Sequence, residues 1–122
     1  MNKAVLRSGS TIGILGGGQL GQMLSMAASR LGFKTHVFEP SANPPASNVS
    51  SRFTQAEYDD YDALEKFASS VDVVTYEFEN IPTDALDIIE RQCEIFPSRE
   101  ALKISQDRLL EKEFINKLGF KT

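Results

Sequence analysis

Apolar residues fall in short runs separated by polar, glycine-rich or proline-rich breaks, and their spacing predicts alternating strands and helices. Thr11-Ile12-Gly13-Ile14-Leu15 reads as a buried strand running into the tight turn Gly16-Gly17-Gly18. Beyond the turn, Leu20, Met23, Leu24, Ala27, Ala28 and Leu31 recur at helical spacing and form one apolar stripe, and Gly32 closes that helix. Residues 33–39 predict a second strand. Pro40-Ser41-Ala42-Asn43-Pro44-Pro45 predicts a loop, because consecutive prolines sustain neither ladder nor helix. Residues 52–55 predict a short third strand. Asp59-Asp60 place negative charge at the start of a helix that turns Leu64, Phe67 and Ala68 inward, and residues 71–76 predict a fourth strand. A helix opening at Pro82 or Thr83, with Leu86, Ile88 and Ile89 facing in, leads to a fifth strand over residues 94–97.

Alternation of this kind, with near-continuous apolar strands, predicts an α/β fold: a five-stranded parallel sheet in the order 3-2-1-4-5 with helices on both faces. Residues 1–10 have no periodicity and read as a flexible lead-in, and residues 11–104 form the predicted domain. Ser98 suits the N-cap of a short helix over Ala101, Leu102 and Ile104. A further helix spans 106–118, ended by Gly119, so residues 105–122 read as a connector into another domain.

Composition narrows the function classes. The 122 residues are 41% hydrophobic and 25% charged, the balance of an ordinary globular domain. The formal net charge of −4 comes from 13 basic and 17 acidic residues, and the basic ones form no stripe, which argues against nucleic acid as a partner. No apolar run approaches the roughly 18 residues needed to span a bilayer, so the chain reads as a cytoplasmic protein without a membrane partner. Cys93 is the single cysteine and has no nearby Cys or His with which to share a metal; it reads as an inert, buried thiol. His36, the only histidine, stands beside the apolar pair Val37-Phe38 and reads as structural.

Two segments could carry chemistry. Gly16-x-Gly18-x-x-Gly21 follows a strand and opens a helix, where glycines permit close backbone approach and the helix N-terminus offers unpaired N–H groups. Glu39 lies 18 residues after Gly21, near the place where a dinucleotide site wants an acid, so an NAD-binding oxidoreductase domain is one reading and a purely structural turn another. Against NAD, the prolines at 44 and 45 crowd the edge where a ribose would lie. Tyr76-Glu77-Phe78-Glu79-Asn80 ends the fourth strand, where open parallel sheets place ligand crevices. In extended chain Glu77 and Glu79 share a side, and paired carboxylates there suit an amine-bearing ligand; solvated acids, or one acid supporting the helix near Pro82, are the alternatives.

Three stretches in order, Gly13-Ile14-Leu15-Gly16-Gly17-Gly18-Gln19-Leu20-Gly21-Gln22-Met23-Leu24, Thr75-Tyr76-Glu77-Phe78-Glu79-Asn80-Ile81-Pro82 and Gln106-Asp107-Arg108-Leu109-Leu110-Glu111-Lys112, resemble the start of the N5-carboxyaminoimidazole ribonucleotide synthetase family. Asp72-Val73-Val74 and Leu118-Gly119 fit as well, so the resemblance covers about residues 11–122; Lys121 departs from it, where proline is common. The glycine segment alone is shared across the ATP-grasp superfamily, which includes phosphoribosylglycinamide formyltransferase. The resemblance implies a Rossmann-like pre-ATP-grasp domain of a ligase that uses ATP, Mg2+ and bicarbonate to carboxylate the exocyclic amine of 5-aminoimidazole ribonucleotide. It implies that Gly17, Gly18, Gln19 and Leu20 face that substrate, that Glu77 stands nearest its amine, and that Arg108 contacts ATP. It further implies a homodimer at full length, with phosphate-gripping and metal-binding groups in two later domains, so that this chain holds neither catalytic residues nor a metal site and is inactive alone.

Overall fold

The computed structural model describes residues 7–78 and 80–96. The order is β1 (Thr11–Leu15), α1 (Gln19–Arg30), β2 (Lys34–Glu39), a 3-10 turn at Pro45–Asn48, β3 (Arg52–Gln55), α2 (Tyr61–Ser69), β4 (Val73–Tyr76), α3 (Thr83–Glu90) and β5 (Glu94–Ile95). All pairings are parallel and the sheet order is β3-β2-β1-β4-β5, as the alternating pattern predicts. Residues ahead of β1 are tied to the end of α1, with Gly9 N–H donating to the Gly32 carbonyl at 2.8 Å.

Each face of the sheet carries its own core. On one, Leu15, Phe38 and Val74 pack with Leu64, Phe67 and Ala68 of α2 and Ala85, Leu86 and Ile89 of α3. Phe38 and Phe67, both buried, meet edge to face at 5.3 Å; complete burial of one such side chain contributes roughly 1.5 to 3 kcal/mol. Ile88, expected to face in, is half-buried at the margin of this core. On the other face Ile14 and Val37 meet Ala46 of the 3-10 turn, with Leu24 of α1 alongside.

Helix α1 departs from the expected stripe. Its buried positions are Gly21, Ser25 and Ala28, whereas Leu20, Met23 and Leu31 are exposed. Small side chains let the helix lie close on the sheet, so size rather than hydrophobicity selects the inner face. The expected loop over residues 40–45 leads into the 3-10 turn, which packs on α1 and begins at the loop's last proline, Pro45, whose fixed φ suits a first helical position. Asp60 caps α2 by accepting from Ala63 N–H at 3.1 Å.

Candidate functional site

Strand order reverses between β1 and β4, so their carboxyl ends form the topological switch point, where open parallel sheets place a ligand crevice. The chain leaves β1 through Gly16, whose φ of 105° lies in the region that L side chains avoid. It then enters α1 at Gly18, an N-cap without a side-chain hydrogen bond, and no acid stands in the first helical turn. Local sequence therefore leaves the helix N-terminus uncapped.

Glu77, one residue beyond β4, fills that role. Its Oε1 accepts from Gly18 N–H at 2.8 Å and its Oε2 from Gly21 N–H at 2.6 Å. A charged acceptor on two helix-start amides is a strong arrangement, since charge-assisted bonds add to the favourable interaction with the helix dipole. Glu39, the last residue of β2, does the same one step earlier: Oε1 accepts from Gly17 N–H at 3.0 Å and Oε2 from Ser41 N–H at 2.9 Å. Ala46 N–H donates to the Gly17 carbonyl at 2.9 Å, closing the loop from the other side.

The glycines answer to this packing. A Cβ on Gly16 would stand 2.3 Å from Glu77 Cγ, one on Gly17 2.8 Å from Pro44 Cγ, and one on Gly21 2.6 Å from the Gly16 carbonyl oxygen. The amides that a pyrophosphate would need are held by the protein's own carboxylates, and Pro44 presses on the loop where a dinucleotide would pass. Glu39 thus serves the loop itself, and the geometry disfavours the NAD reading.

Of the residues expected to face a ligand, Gly17 is buried, Gly18 and Glu77 are half-buried, and Gln19 and Leu20 are exposed. The structure brings all five to the carboxyl ends of β1 and β4. Glu79 and Arg108 lie outside the described residues. Among those described, no group of His, Cys, Asp and Glu side chains could hold a metal ion. Tyr58, absent from the sequence reading, packs at the same end of the sheet, its ring 5.4 Å from Phe38 and 5.3 Å from Phe78. Its only trace in the sequence is an aromatic residue just after the third strand.

Two other groups settle into structural roles. His36 is buried, with Nδ1 2.8 Å from Ser70 Oγ and Nε2 2.6 Å from Thr54 Oγ1. Burial first, and then the Arg52 charge, push its pKa down to about 4. Cys93 is half-buried, and burial followed by the Asp72 charge raises its thiol to about 11, which keeps it protonated and unreactive.

The sequence model of the ribonucleotide synthetase pre-ATP-grasp domain matches residues 9–106. The chain belongs to this family. It is 51% identical over all its 122 residues to an N5-carboxyaminoimidazole ribonucleotide synthase of Brucella melitensis, of which it covers 34%. Among solved structures it resembles N5-carboxyaminoimidazole synthetase from Staphylococcus aureus, with a TM-score of 0.87 and 43% identity over 100% of this chain and 33% of that one. It also resembles an N5-carboxyaminoimidazole synthase from Aspergillus clavatus in complex with ADP and 5-aminoimidazole ribonucleotide, with a TM-score of 0.79 and 33% identity over 93% of this chain and 30% of that one. The chain spans about a third of the length of these family relatives. Among the described residues no helix is long and apolar enough to cross a membrane.

Proposed function

We propose that this chain is the substrate-side domain of a cytoplasmic, ATP-dependent carbon–nitrogen ligase of purine biosynthesis. The reaction converts 5-aminoimidazole ribonucleotide, bicarbonate and ATP to N5-carboxyaminoimidazole ribonucleotide, ADP and phosphate. The observation that carries this reading is the Glu77 carboxylate seated on the Gly18 and Gly21 amides. It takes the anion site of the glycine loop, so the crevice offers carboxylate oxygens to a donor-bearing group instead of amides to a phosphate. An exocyclic amine is such a group. The named relatives, one of them solved with ADP and 5-aminoimidazole ribonucleotide, support the same substrate class.

In this proposal Glu77 orients the amine while Gly17 and Gly18 supply a rigid backbone wall, and the exposed Gln19 and Leu20 line the approach. Arg108 contacts ATP from the connector over residues 105–122. Arginine suits that task, being always charged and presenting several donors in one plane. ATP, Mg2+ and the groups that activate bicarbonate belong to the remainder of a longer protein that assembles as a homodimer. The full-length protein is expected to release phosphate in proportion to added 5-aminoimidazole ribonucleotide when ATP, Mg2+ and bicarbonate are present. The 122-residue chain alone is expected to release none above background. Turnover by the isolated chain would overturn the division of the site between domains.

A further inference from the structure

Among the described residues, Ser25 Oγ, Ser50 Oγ and the Tyr58 hydroxyl are buried without a hydrogen-bond partner. Only Tyr58 stands at the crevice end of the sheet. It follows β3 by three residues, and its ring packs on Phe38 and Phe78, the neighbours in sequence of Glu39 and Glu77. The ring therefore reaches from the carboxyl end of β2 to that of β4, the two strands that flank β1 and its glycine loop. Burial and then the charges of Glu39, Glu77 and Glu57 raise the phenol's pKa, so the group remains a protonated donor among carboxylates.

A buried hydroxyl without an acceptor disfavours the state that holds it so. The Glu77 carboxylate has room for another donor, since its oxygens accept one backbone N–H each, from Gly18 and Gly21, and a carboxylate has about four lone-pair sites. We propose that Tyr58 is a positioning residue of the crevice, whose hydroxyl donates to the Glu77 carboxylate once a donor-bearing ligand engages that carboxylate. The inference rests on the function proposed above. Ligand binding then gives the hydroxyl the acceptor it lacks in the free domain, and part of the ligand's affinity depends on a residue that does not touch it.

Tyr58→Phe in the full-length protein tests this, because it keeps the ring packing and deletes only the hydroxyl. The KM for 5-aminoimidazole ribonucleotide is expected to rise about five- to tenfold, with the KM for ATP within about twofold of the parent and Tm unchanged or higher. An unchanged KM for the aminoimidazole would overturn the proposal. So would a Tm lowered by several degrees, which would show that the hydroxyl is already paired in the free protein. A parent without aminoimidazole-dependent turnover overturns the proposed function and this inference together, whereas an active parent with an unaltered variant overturns the inference alone.

Discussion

Ser70 donates its hydroxyl proton to the Phe67 carbonyl at 2.7 Å, which leaves Ser70 Oγ to accept from His36 Nδ1–H and His36 Nε2 to accept from the Thr54 hydroxyl. This hydrogen-bond network assigns the neutral Nδ1–H tautomer, and it also excludes a Ser–His nucleophilic pair, since the serine proton points away from the ring. Protonating Nε2 would place a second N–H against a hydroxyl that now donates to it, in a buried site beside Arg52. Folding therefore lowers this pKa from 6.5 to about 4. The unfolded chain binds the proton first, so the stabilisation is complete above pH 6.5 and is lost as pH falls from 6.5 toward 4, by about 3 kcal/mol over the window. His36 is the only histidine, so its Hε1 resonance is unambiguous in a spectrum of the 122-residue domain. The resonance is expected to keep its neutral position at pH 5; a titration midpoint near the ordinary histidine value would contradict the buried network.

At the scale of elements, the crevice depends on one bridge between β4 and α1. Glu77→Gln retains one acceptor oxygen but turns an amide N–H2 toward a backbone N–H, and it removes negative charge from a helix N-terminus. The variant of the isolated domain is expected to lose about 2 kcal/mol of stability, with Tm lower by roughly 10 °C, measured by thermal denaturation. A Tm equal to the parent's would mean that the bridge contributes nothing. The bridge spans 59 and 56 residues of sequence, and hydrophobic periodicity carries no record of contacts at such separations. Its one local sign is the absence of an acid or hydroxyl cap where α1 begins. The strands were legible because parallel strands, buried on both faces, read as apolar runs; residues 11–15 are a case where the predicted and observed bounds coincide. The inner face of α1 was not, because Gly21, Ser25 and Ala28 are selected for closeness to the sheet while larger apolar residues point outward.

For the whole molecule, a sheet that reverses its order between β1 and β4 collects the glycine loop, Glu39, Glu77 and Tyr58 at one edge although they come from distant parts of the chain. The chain spans about a third of its relatives' length, and the function proposed above divides the chemistry, with the aminoimidazole side here and most of the nucleotide side elsewhere. Amide hydrogen exchange on the full-length protein separates the two sides directly. 5-Aminoimidazole ribonucleotide without ATP is expected to slow exchange in peptides covering residues 16–21 and 76–78, and ATP alone is expected to leave those peptides unchanged while protecting others. Protection of residues 16–21 by ATP alone, with none from the aminoimidazole ribonucleotide, would contradict the account.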